Sequence, residues 1–233
     1  MKPYGKVHWH DERSHYDFID KLFFGLGKHF NSFIDTTYEI PYAYSERTFV
    51  GHLAQSASIN EYHSIQEYNV NTRDVKKGKK AHYVPDLHVW IPRGKNEPDS
   101  CVFEVKTTYP IPIDKDPSEY VEIAQYELDE ANNQIDQHGL IEAKYRCALV
   151  ATPIHCAPTK WIKYAKTPRI YHKVANKLRT ELINSMRDST ANFAWSYMLD
   201  YENVIRLAWK ADGKEYLPWI GIICMGKVGR YKS

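Results

Sequence analysis

Asp86, Glu104 and Lys106 are the residues of this chain whose types and spacing suit chemistry best. Around them the sequence alternates as strands do. Leu87, Val89 and Ile91 share one direction and set Asp86 on the other, while Cys101, Phe103 and Val105 oppose Glu104 and Lys106. Two carboxylates and an ammonium in otherwise apolar strands are costly unless they pair with each other or hold a cation. Carboxylate oxygens with a backbone carbonyl suit a hard divalent ion such as magnesium or manganese, which keeps waters that a substrate phosphate can displace. A lysine two residues beyond a metal-binding glutamate can orient or deprotonate the attacking water and offset charge on a phosphorane. The plainer reading is a Glu104–Lys106 salt bridge along a strand edge. It explains Lys106 and leaves Asp86 without a role.

The elements that must position these residues follow from periodicity. A helix is expected over residues 14–34, with Phe18, Leu22, Leu26 and Phe30 or Phe33 inward, although Gly25 and Gly27 weaken it. Ser45 can cap a second helix, on which Glu46 opens the inward stripe of Val50, Leu53 and Ala57. A carboxylate there serves the helix dipole or is aimed into a cleft. Strands are expected at Ser64 to Val70, Val84 to Ile91 and Cys101 to Thr107, as an antiparallel meander. A helix from Ser118 to Gly139 buries Ala124, Leu128, Ala131 and Ile135, with Gly139 ending it, and a buried strand follows at Tyr145 to Thr152. Thr167 and Pro168 open a further helix carrying Tyr171, Val174, Leu178, Leu182 and Met186 inward. Val204 to Trp209 and Trp219 to Met225 read as strands joined by a turn at Asp212-Gly213.

Pro85-Asp86, seventeen intervening residues and then Glu104-Val105-Lys106 resemble the PD-(D/E)XK signature of restriction-endonuclease-like nucleases. The order helix, three strands, helix, strand from about Ser45 to Thr152 strengthens the likeness, and Glu46 matches the acid these nucleases often carry on the preceding helix. The resemblance implies an α/β fold with a mixed central sheet flanked by helices. It implies that Asp86, Glu104 and the Val105 carbonyl hold Mg2+ or Mn2+, that Lys106 assists the nucleophile, and that Glu46 completes the site. Gln134 or Gln137, near the end of the helix after the third strand, is the accessory polar residue it would supply, although an exposed glutamine is an ordinary alternative. The implied activity is metal-dependent hydrolysis of DNA, with RNA also open. The other reading is a catalytically silent nucleic-acid-binding or inhibitory protein on the same fold, its acidic segment mimicking DNA.

Composition bounds these readings. The chain has 233 residues, 31 Lys and Arg against 29 Asp and Glu, which suits one folded unit with its core at about 45–152 and a basic C-terminal extension. No apolar run approaches the ~20 residues of a membrane span, and the first ten residues lack a signal-peptide core, so a cytoplasmic protein is expected. Cys101, Cys147, Cys156 and Cys224 have no zinc-site spacing and read as reduced thiols, and His8, His10 and His15 find no matching ligand pair. No phosphate loop, nucleophile elbow or dinucleotide fingerprint is present. Charge is uneven: residues 109–143 hold nine acids and one base, residues 157–187 eight bases and one acid. The latter block, with Trp161, Tyr164 and Tyr171 among its bases, could follow a phosphate backbone or be a solvated helix face. Arg73, Lys76, Lys77, Lys79, Lys80, Lys160, Lys163, Lys166 and Arg169 are the expected nucleic-acid contacts. A homodimeric arrangement or a targeting partner would be compatible with such a chain.

Overall fold

A computed structural model describes residues 5–11, 16–42, 45–67, 70–74, 80–113, 116, 118–140, 143–156, 167–185, 189–208 and 219–230. The strands are β1 (His8–Trp9), β2 (His63–Gln66), β3 (Val70–Asp74), β4 (Lys80–Tyr83), β5 (Leu87–Arg93), β6 (Asn96–Thr107), β7 (Ile111–Pro112), β8 (His138–Leu140), β9 (Tyr145–His155), β10 (Phe193–Met198) and β11 (Trp219–Arg230). The helices are α1 (Asp17–Thr37), α2 (Glu46–Ile59), α3 (Ser118–Gln137), α4 (Pro168–Ser185) and α5 (Tyr201–Ala208). The fold is α/β, with a mixed eight-stranded sheet in the order β1-β10-β11-β9-β6-β5-β2, β7 pairing β9 off that path. A separate three-stranded sheet has the order β4-β3-β8. No helix among the described residues is long and apolar enough to cross a membrane.

Side-chain alternation gives the large sheet two apolar faces. Cys101, Phe103 and Val105 of β6 and Cys147, Leu149 and Ala151 of β9 join one cluster with Leu22, Phe23, Leu26 and Phe30 of α1 and Val50, Leu53 and Ala57 of α2. Val102 of β6 and Ala148 and Val150 of β9 join the other with Ala124, Leu128, Ala131 and Ile135 of α3. Burying so many aliphatic and aromatic side chains, each worth about 1.5–3 kcal/mol, holds the helices on the sheet. Phe23 and Phe30, seven residues apart on α1, meet Trp195 and Tyr197 of β10 at ring separations of 5.2 and 5.3 Å. Gly25 lets α1 approach α2, because a Cβ there would collide with Asn60 and Ser56. All four cysteines are buried free thiols.

The meander β2-β5-β6 is antiparallel throughout, and β6 and β9 pair in parallel across the α3 crossover. The expected strand Ser64 to Val70 is instead two strands in different sheets. Glu67 adopts φ 49°, a left-handed turn that ends β2 and for which a glutamate gives no sequence warning. Gly139 does not terminate α3 from outside. It lies within β8, opposite Arg73 of β3. Val204 to Trp209 is not a strand: α5 covers Tyr201–Ala208, and Asp200 caps it, its Oδ1 accepting from the Asn203 amide at 2.8 Å. The cap outweighs the β-branched pair Val204-Ile205. β11 extends to Arg230 and pairs with β9 and β10, and β10 was not anticipated. Asp212 and Gly213 lie outside the described residues.

Candidate active site at the free edge of β6

The ladder between β5 and β6 begins at Leu87 opposite Phe103, so β6 runs on past its neighbour through Glu104, Val105, Lys106 and Thr107. On its other side this overhang stays paired to β9, with Glu104 opposite Ala148 and Thr107 opposite Ala151. Amide directions alternate along a strand, and Thr108 donates to Ala151 in β9 at 3.1 Å. The Val105 and Thr107 amides therefore face the side where β5 has ended. Buried amides need acceptors. Asp86 Oδ2 accepts from Val105 at 2.7 Å and Glu46 Oε2 accepts from Thr107 at 3.2 Å.

One strand thus gathers residues from three places in the chain. Asp86 reaches the overhang because it sits immediately before β5. Glu46 reaches it because it is the first residue of α2, whose N-cap Ser45 accepts from the Thr48 amide at 3.4 Å. Lys106 Nζ donates to Glu104 Oε1 at 3.2 Å, with Glu104 buried and Lys106 partly so. The salt bridge that the sequence offered as the plainer reading is therefore formed, and Asp86 also has a partner.

Burial raises the Asp86 carboxyl above its ordinary value, opposed by the Val105 amide and Lys106 and reinforced by Glu67. Burial likewise raises Glu46, with Lys106 and the Thr107 amide opposing and Asp86 and Glu127 adding to the rise. For Lys106 burial disfavours the charge, but Glu104, by attraction and hydrogen bond, and then Glu46 and Asp86 outweigh it, so its pKa is raised. Three carboxylates, Glu104, Glu46 and Asp86, act on the Lys106 ammonium, while Glu67 adds to the negative field at Asp86 and Glu127 to that at Glu46. A divalent cation is the natural complement to such an excess of hard oxygen donors.

Glu67 and Glu127 were missed by sequence reasoning. Glu67 comes in only because of its left-handed turn, where its amide donates to the Asp86 carbonyl at 3.3 Å. Glu127 could have been suspected from its place beside the inward Leu128 of α3. Gln134 is partly buried, two helical turns (~10 Å) beyond Glu127, and Gln137 ends α3. Glu46, Arg47, Val50, Gln66, Glu67 and Asp86 line a depression of about 100 Å³ against this edge, with Arg47 and Glu67 paired at 3.4 Å across it.

The donor types fit a hard cation, and a carboxylate with about four acceptor sites is not exhausted by one amide bond. Among the described residues, however, no three His, Cys, Asp or Glu side chains stand close enough together to close on an ion without moving. Of the expected nucleic-acid contacts, Arg73 lies in β3, Lys80 in β4, and Arg169 is exposed on α4. Lys76, Lys77, Lys79, Lys160, Lys163 and Lys166 lie outside the described residues, as do Trp161 and Tyr164. Tyr171 is not open to stacking on a base: it is buried, and its hydroxyl donates to the Leu199 carbonyl at 2.8 Å. Comparison with protein-family models, with curated proteins and with solved structures gave no match to this chain.

Proposed function

We propose that this chain is a divalent-metal-dependent nuclease that hydrolyses DNA phosphodiester bonds, built on a restriction-endonuclease-like core of α2, the β2-β5-β6 meander, α3 and β9. The carrying observation is the overhang of β6, where Glu104 and Lys106 stand beside two carboxylates docked on the outward amides of Val105 and Thr107. Asp86, Glu104 and the Val105 carbonyl would hold Mg2+ or Mn2+, with Glu46 in support. The bound ion would acidify a water and neutralise charge on the scissile phosphate. Lys106, whose ammonium donates to Glu104 at 3.2 Å, would turn to a phosphoryl oxygen of the bound substrate and offset its charge. Asp86 and Glu46, fixed by the Val105 and Thr107 amides, need little reordering to orient a ligand.

A second reading, a nucleic-acid-binding or inhibitory protein without turnover, draws on the satisfied state of these carboxylates and the absence of a closed ligand set among the described residues. Incubating the protein with linear, circular and single-stranded DNA, and with RNA, with and without magnesium or manganese separates the two. Metal-dependent cleavage lost in Lys106→Ala supports the nuclease. No cleavage under any divalent metal, together with no thermal stabilisation by one, leaves the binding protein.

A further inference from the structure

We propose that the outer face of α4, led by Arg169 and Lys173 and continued by Lys177, is the track along which a DNA strand is held as it enters the β6 site; this rests on the nuclease reading above. The sheet topology puts both on one rim. β6, β9 and β10 all run in the same direction, because β11 is antiparallel to both β9 and β10 and β9 is parallel to β6. The site lies at the C-terminal end of β6. The start of α4 is pinned to the C-terminal end of β10 by the Tyr171 hydroxyl on the Leu199 carbonyl.

The middle of α4 packs with the α1 and α2 cluster through Tyr171, Ala175 and Leu178, while its far end reaches α3, where Ile183 meets the apolar cluster that includes Val102. From β6 to β10 is three strand spacings, about 14 Å. About four nucleotides of one strand, at 3.4 Å each, cover that distance.

The α4 side chains divide by direction. Tyr171, Ala175 and Leu178 are buried, while Arg169, His172, Lys173 and Lys177 are exposed. Arg169, Lys173 and Lys177 recur every four residues and so form one row, with about 6 Å between neighbours. Between Pro168 and Thr180 no acid interrupts them. Glu181, paired with Lys177 at 3.5 Å, is the first.

The placement is also unfavourable for the helix alone. No acidic residue occupies the first turn of α4, and Arg169 stands there, where the helix dipole disfavours cations. Lys173 follows one turn later. A cation kept where it destabilises its own helix, on the rim shared with an acidic site that repels phosphate, fits a polyanion-binding role better than a solvated face. The basic row offsets that repulsion and orients the strand.

The test is the double substitution Arg169→Gln/Lys173→Gln, read by anisotropy of a labelled DNA duplex across a potassium chloride series in EDTA. A matched control, Lys21→Gln/Lys28→Gln, removes the same charge from exposed positions of α1. The track predicts that the slope of log K against log salt falls in magnitude by about 2 in the α4 variant and is unchanged in the control. It also predicts that the variant melts no lower than the parent. An unchanged slope in a parent that still cleaves DNA overturns the track and leaves the nuclease standing, and an equal loss in the control reduces the effect to net charge and overturns it too. A parent that neither binds nor cleaves DNA overturns both.

Discussion

Replacing Asp86 separates a carboxylate needed for chemistry from one that merely caps a strand edge. In Asp86→Ala the Val105 amide, buried on β6 where β5 has ended, loses its acceptor at 2.7 Å. An unsatisfied buried donor costs about 1–3 kcal/mol. For a chain of this length each kcal/mol corresponds to about 2–4 °C in Tm, so Asp86→Ala is expected to melt several degrees lower. Asp86→Asn keeps an oxygen for that amide. Because the folded-state pKa of Asp86 is raised by burial, its ionisation destabilises the fold at neutral pH and less so as pH falls through that pKa. The neutral amide escapes this penalty, which offsets the weaker hydrogen bond, and the net change is expected within about 1 kcal/mol of zero. Thermal melts by circular dichroism at pH 7, run beside a plasmid cleavage assay in magnesium, read both quantities. The nuclease reading expects Asp86→Asn to melt with the parent and to lose at least ~100-fold in cleavage. If Asp86→Asn cleaves like the parent while Asp86→Ala only melts lower, the side chain is an edge cap and the metal-ligand argument fails.

Further outcomes follow from the same geometry. Lys106→Ala should abolish cleavage while keeping much of the metal-induced rise in Tm, measured by thermal shift with manganese; full activity would remove Lys106 from the mechanism. Glu46→Gln preserves an acceptor for Thr107 at the position of Oε2, so stability should change by no more than about 1 kcal/mol while cleavage falls, and a slightly less stable but fully active variant would assign Glu46 to the helix dipole alone. Burial depresses His52 and His88 to about 4 each, so the unfolded chain takes up protons first as pH falls from 6.5. Their contribution, at most about 3 kcal/mol each, is present above pH 6.5 and lost on approach to pH 4, which urea midpoints measured over that window should show; midpoints flat across it would contradict the burial of these rings.

Strand and helix periodicity in the sequence alone already determined the faces of β6 and α3 and the inward stripe of α2, because burial on one side imposes a period that residue types reveal. The pairing of Glu104 with Lys106 and the standing of Glu46 at a capped helix start were legible for the same reason. What the tertiary structure alone decided is where strands stop. That β5 begins only at Leu87, opposite Phe103 and one residue short of Glu104, leaving two amides of β6 to be met by Asp86 and Glu46, depends on register between segments distant in the chain, and no local pattern encodes it. Glu67 enters the site through a left-handed turn in a residue type that rarely adopts one, and α5 forms because Asp200 caps a segment whose valine and isoleucine suggest a strand. The common rim of β6, β10 and α4 likewise arises from β11 inserting between β9 and β10, a long-range pairing invisible to any window of sequence. Local chemistry selects the residues; the ends and neighbours of strands decide which of them meet.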